Sequence, residues 1–247
     1  MNDTVIGQAV AWLTDPANWQ GAAGIPARTW EHVWISALSV AIAAAVALPV
    51  ALVLGHIGRG GALAAAVANV GRAVPTLSVL VILVLAPPPF GSAAVVLNTV
   101  VALVLFAIPP ILTNAYAGMR GVDQDTVEAA RGMGLTPSQV LFRVELPLAV
   151  PLVVAGLRIA SAQVIATATI AAFIAGPGLG RFITTGLGRQ DTGQFVGGAI
   201  LVAVLAVLVE LGFQLFQRRL TPARVSRPAD EVPEVRDEAD AVGTGPS

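Results

Sequence analysis

The stretch Val122-Asp-Gln-Asp-Thr-Val-Glu-Ala-Ala-Arg-Gly-Met-Gly-Leu-Thr-Pro-Ser-Gln-Val-Leu-Phe-Arg-Val-Glu-Leu-Pro147 decides how the chain is read. Its residues spell two short helices around a tight turn. Asp125 precedes Glu128 by three positions, the spacing of a capping-box start. Gly134 stands where the residue past a helix end takes left-handed angles. Thr136 is placed to cap the next helix, with Pro137 at its first position and Gln139 at its third. Leu135 and Val140 are spaced to form a hydrophobic staple across that cap. Leu146 precedes a proline and is steered away from helical angles, which predicts that the second helix ends there. Leu141 and Val144 are expected to be exposed, and they are more apolar than a solvated loop requires. From these residues alone, two readings stand: a helix pair folded back on its own protein, or a docking surface.

Outward from this loop the chain becomes almost uniformly apolar. Hydrophobic residues make up 55% and charged residues 12% of 247, where soluble domains carry about 25% charged. The mean hydropathy is +0.78. So little charge cannot solvate a globular surface of this size, and the apolar excess faces lipid. A spanning helix needs about 20 mostly apolar residues. Val33–Leu54, Ala62–Leu85, Ala93–Tyr116, Leu148–Ile174 and Phe195–Phe216 meet that length. The second, interrupted by Arg72 and Pro75, is expected to begin near Arg72. The fold class is therefore all-α, a polytopic membrane bundle of about five helices. Pro49, Pro75, Pro109, Pro110 and Pro151 lie inside these spans. Interior proline kinks a helix and frees carbonyls, which together with the many Ala and Gly suits packing around a cavity.

Arginine sets the orientation. Segments 55–73, 117–147 and 217–247 carry 10 arginines, and segments 1–32, 86–92 and 175–194 carry 3. Excess Arg marks the cytoplasmic side, so the N-terminus is expected outside and the C-terminus inside the cell membrane. Three regions follow: an extracytoplasmic segment 1–32, a transmembrane domain 33–220 with the loop 120–147, and an acidic tail 221–247 expected to be disordered. The leader run Val5–Leu13 lacks a basic flank and meets Asp15-Pro16, unlike a signal peptide. Trp12 and Trp19 suit a membrane interface, and a loosely ordered leader is the other reading.

Several chemistries are excluded. There is no Cys, and all 14 basic residues are Arg. Thiolate metal sites, a P-loop lysine and Schiff-base chemistry are therefore absent. Two histidines, His32 and His56, are too few for a His-based metal centre. A net charge of −1 gives no electrostatic case for nucleic acid. No cofactor pattern and no catalytic set is present. Two charges lie within spans, Arg158 and Glu210. Arg158 sits ten residues into its span and Glu210 eight residues before the far end of its own, depths of about 15 and 12 Å at the rise of an α-helix. Similar depth predicts an intramembrane pair, since unpaired charge in a span is costly. The alternatives are snorkelling of Arg158, with Glu210 protonated or paired to Arg218 or Arg219, and Arg158 lining the path.

The pattern Glu128-Ala129-Ala130, Gly134, Val144, Leu146-Pro147 matches the cytoplasmic signature of ABC-importer permeases in spacing and residue type, with Val in the usual Ile place. The flanks Asn114-Ala-Tyr116-Ala-Gly118, Arg131–Gln139, Val144–Pro151 and Ala155-Gly-Leu-Arg158 resemble the osmoprotectant permeases, as do Val74-Pro75-Thr76-Leu77 and Ala175-Gly-Pro-Gly-Leu-Gly180. The resemblance covers roughly residues 30–220. Pro177 and Arg181 depart from it, since that family more often has Gly and an acidic residue there.

The resemblance implies a type I ABC-importer permease fold and a non-catalytic subunit serving glycine betaine, choline or carnitine. It also implies three protein partners: a cytoplasmic ATPase at the loop helices, an extracytoplasmic solute-binding protein, and a second permease chain in the bilayer. In that picture Glu128 fixes the helix start or reaches a donor on the ATPase. Ala129 and Ala130 allow close approach, Gly134 permits the turn, and Val144, Leu146 and Pro147 complete the coupling element. Pro75, Thr76, Asn114 and Tyr116 are the candidate pathway residues. A methionine or other amino-acid permease is the runner-up, because the loop signature is blind to substrate. An autonomous secondary transporter would need more intramembrane charge than Arg158 and Glu210 supply.

Overall fold

Long apolar runs leave the backbone one way to satisfy itself in lipid, and the computed structural model follows it even through Pro49, Pro109, Pro110 and Pro151. It describes residues 4–73, 75, 78–79, 81–82, 93–174 and 176–220. Helix α1 spans Val5–Thr14 and is capped by Thr4, whose Oγ1 accepts from the Gly7 N–H at 3.1 Å. Helix α2 spans Ile25–His56, α3 Gly61–Ala73 and α4 Ala93–Arg120. The loop pair is α5, Gln124–Gly132, and α6, Pro137–Val140. A π turn at Leu141–Glu145 leads into α7, Leu146–Ala171. Helices α8, Gly180–Arg189, and α9, Thr192–Leu220, complete the described chain.

Among the described residues four helical stretches are long and apolar enough to cross a membrane: Ile25–His56, Val95–Arg120, Pro137–Ile174 and Thr192–Arg219. They contain four of the five expected spans. The remaining one, Ala62–Leu85, is represented by α3, and the rest of it lies largely outside the described residues. The acidic tail 221–247 and the loop 86–92 also lie outside them.

Small residues set the packing. Ala43, Ala47 and Ala51 repeat every fourth residue along α2 and face Ala107 and Ala115 of α4 and Ala160 and Ala168 of α7 in one buried cluster. A stripe of Ala lets backbones approach closely, which substitutes for the hydrophobic effect that lipid does not provide. Leu103 and Ile111 are buried with these alanines, while Val46, Leu105, Leu152, Val204, Leu208 and Leu215 are exposed, as a lipid-facing surface requires. The N-terminal segment is ordered. Trp12 meets Phe182 of α8 edge-on at 5.0 Å, and Asn18 and Trp19 donate to the carbonyls of Trp12 and Leu13.

Two local expectations are corrected. The cap of α5 is Asp123, whose carboxylate accepts from the Asp125 N–H at 3.0 Å. Asp125 therefore lies inside the first turn, and the box with Glu128 does not form. Leu146 does not end a helix either: it keeps helical angles, φ −61° and ψ −48°. The chain widens into the π turn just before Pro147, and the helix runs on.

The close seam between α4 and α7 gives a stability test. A Cβ on Gly156 of α7 would lie 2.9 Å from Asn114 Cβ and 3.0 Å from the Pro110 carbonyl oxygen, both on α4, whereas one on Gly212 would meet nothing within 4 Å. Gly156→Val should cost about 1–3 kcal/mol by overpacking, read as a lower unfolding temperature in detergent. Gly212→Val should change stability by less than about 0.5 kcal/mol. Equal effects would show that the α4–α7 contact is loose.

Candidate functional site

The loop pair is built as a small independent wedge. Val122, Val127, Ala130 and Val140 are buried together, with Leu135 and Val144 packed against them. Gly134 makes the turn at φ +83°. The Thr136 Oγ1 accepts from the Gln139 N–H at 3.4 Å, and the Gln139 side chain accepts from the Thr136 N–H at 2.9 Å. That is the expected capping box, closed in both directions. The two helices are thereby held at a fixed angle by their own core and caps.

The signature residues divide between inside and outside. Ala130 is buried and Val144 and Leu146 half-buried, so they hold the wedge together. Glu128, Ala129, Gly134 and Pro147 are exposed. Beside them stand two apolar side chains that sequence reading passed over: Met133, 75% exposed, and Phe142, 62% exposed. Leu141 and Val144, expected outside, are half-buried instead. The π turn explains this change: it adds a residue to the local turn and rotates Phe142 outward.

Below the wedge, Glu145 is buried at 5% exposure. Its Oε2 lies 2.5 Å from Nδ1 of His56, the last residue of α2. No sequence signal paired these two residues, which stand 89 positions apart.

At the opposite end of α2 a second polar clip holds the segment after α7. The Glu31 carboxylate accepts from the Gly178 N–H at 3.1 Å and from Arg28 at 2.8 Å. The His32 Nδ1 accepts from the Leu179 N–H at 3.3 Å, and its Nε2 lies 3.1 Å from the Ile165 carbonyl. Gly178 has φ +100°, and a Cβ there would lie 2.8 Å from His32 Nδ1, so the close approach needs glycine.

Within the spans, Arg158 Nε lies 3.5 Å from Glu210 Oε1. The Arg158 Nη1 also donates to Gln217 Oε1 at 3.5 Å, Gln217 donates to the Pro151 carbonyl at 3.3 Å, and Gln214 donates to Glu210 at 3.1 Å. The structure thus brings the two charges together, inside a polar chain between α7 and α9. Three of the four candidate pathway residues are described. Asn114 donates to the Pro110 carbonyl at 2.8 Å and borders Gly156. Tyr116 packs on the core with its hydroxyl toward Gly61. Pro75 is exposed, and Thr76 lies outside the described residues.

Residues 45–222 match the sequence profile of the family described as "Binding-protein-dependent transport system inner membrane component". The chain is 36% identical over 200 residues to the choline transport system permease protein OpuBB of Bacillus subtilis (strain 168), covering 81% of this chain and 90% of that one. It is 36% identical over 198 residues to the carnitine transport permease protein OpuCB of Listeria monocytogenes, covering 80% and 88%. Among solved structures, an inward-facing form of the MetNI methionine ABC transporter aligns with TM-score 0.70 at 22% identity, covering 84% of this chain and 99% of that one. That likeness concerns the fold.

The intramembrane contact is testable by charge exchange. Both side chains lie within spans, where a charge left without its partner is costly. Arg158→Glu and Glu210→Arg should each lower thermal stability in lipid, and the double exchange should recover part of the loss. A double exchange no better than either single change would show that the two charges do not support each other.

Proposed function

Because the chain belongs to the family of binding-protein-dependent transport system inner membrane components, we propose that it is the permease of an ATP-driven importer for osmoprotectants such as glycine betaine, choline and carnitine. The observation that carries this reading is the wedge of α5 and α6. It is rigid, presents Glu128, Ala129, Met133 and Phe142 outward, and continues without a break into a membrane-crossing helix. Such an element receives a mechanical input and delivers it to the bundle. The input is an ATPase on a separate chain, bound at the wedge. Its closure pushes the wedge and switches the bundle between two states as rigid bodies.

The remaining assembly follows from the same reading. The wedge and the C-terminal end of α9 lie on the Arg-rich side, which the charge rule assigns to the cytoplasm. The Glu31–His32 clip then faces outward, where a solute-binding protein delivers its cargo. A second permease chain, identical or related, completes the pathway. Quaternary ammonium compounds are recognised by aromatic cages through cation–π attraction. With one Tyr and four Trp in the whole chain, that cage belongs on the binding protein. The choline and carnitine permeases named above support the solute class. The methionine reading has only the fold-level likeness on its side.

The test is uptake of radiolabelled glycine betaine into liposomes holding this chain, its ATPase and its binding protein. Uptake should require ATP and be competed by choline or carnitine but not by methionine. Gly134→Val should place a β-branched residue at positive φ, a cost of about 1–2 kcal/mol or more, and distort the wedge while leaving the spans inserted. ATPase association and uptake should fall together. Normal uptake by Gly134→Val, or competition by methionine alone, would refute the reading.

A further inference from the structure

We propose that Glu145 and His56 form a strut that carries the push on the loop wedge into the rest of the bundle, so that they are positioning residues for transport. This inference rests on the permease reading and goes one step into its mechanism. Three observations place the strut. First, the only described chain path from the wedge into α7 runs through the π turn Leu141–Glu145. A π turn is a wide, irregular turn and a natural point of bending. A push arriving there would be absorbed by local flexing unless something braces it. Second, Glu145 closes the π turn and is buried, with its carboxylate 2.5 Å from His56 Nδ1. The ring nitrogen and the carboxyl group share one hydrogen bond, of a kind that is stronger when either partner is charged. Third, His56 ends α2 directly after Gly55. A Cβ on Gly55 would collide with the Met119 side chain of α4. The cytoplasmic ends of α2 and α4 are therefore in backbone-close contact. Through His56 one carboxylate ties the π turn to α2, and through Gly55 to α4 as well.

The pair acts through the π turn and the helix ends it joins. Its effect is on how much of each ATP-driven stroke reaches the pathway. Loss of the strut uncouples hydrolysis from transport, whereas loss of fold lowers both together. That difference gives the test. ATP hydrolysis and glycine betaine uptake are measured on the same liposomes for the assembled importer, with Glu145→Leu, His56→Leu and the exchange His56→Glu with Glu145→His. The two single variants should bind the ATPase and hydrolyse ATP, while solute imported per ATP falls about threefold or more, the scale of coupling changes seen along packed networks. The exchange restores a donor–carboxylate contact and should regain most of that ratio. An unchanged ratio in the single variants, a ratio preserved while both rates fall, or an exchange no better than the singles would overturn the strut. Should the single variants fail to assemble, the exchange decides alone: a ratio near wild type supports the strut and a lowered ratio overturns it. Absence of ATP-driven uptake by the unmodified chain would instead strike the permease reading itself, and the strut would fall with it.

Discussion

Pro147 has no N–H to donate, and in a regular α-helix its ring would collide with the carbonyl one turn back, at Arg143. A helix normally answers by ending or kinking. Here the backbone widens for one turn over Leu141–Glu145, the Leu146 N–H reaches back to the Leu141 carbonyl, and the helix continues. The rod that results runs from Pro137 to Ile174. Much else depends on it. Because the rod is unbroken, the wedge is not an appendage but the end of a membrane helix. The wide turn also sets where Phe142 is exposed and where Glu145 is buried.

The wedge would be useless on a soft bundle. The alanine stripe of α2 and the glycine contacts of α7 and α4 remove side-chain bulk from the seams, so the helices meet backbone to backbone. In lipid such contacts rely on packing and hydrogen bonds, since apolar side chains gain nothing by leaving acyl chains. The polar residues in the spans obey the same constraint. Arg158, Glu210, Gln214 and Gln217 satisfy one another, and the Glu31–His32 clip ties the segment after α7 to α2.

What the sequence revealed follows the range of the interactions. Gly134, Thr136, Pro137 and Gln139 act over three or four residues, and their geometry appeared as expected. Four of the five expected spans were legible because lipid imposes one length and one polarity on every crossing segment. The depths of Arg158 and Glu210 sufficed to anticipate their contact. The cap of α5 was missed by two residues, because Asp123 and Asp125 both satisfy the local rule and only the observed start of the helix chooses between them. The continuity through Leu146-Pro147 was missed because the pre-proline preference is local, while the π turn answers a constraint on the whole rod. The His56–Glu145 contact had no signal at all: it joins two elements that only the folded bundle brings together.

In the proposed importer the partner ATPase docks on the α5–α6 wedge. The chain has no Cys, so a single introduced thiol reports without background. Met133 stands at the tip of the wedge, and Trp30, 68% exposed, lies near the opposite end of α2. Met133→Cys carrying a thiol-linked photo-crosslinker should attach to the ATPase in the assembled importer, and Trp30→Cys should not. A Met133→Cys chain that never crosslinks to the ATPase, or a Trp30→Cys chain that does, would contradict the account.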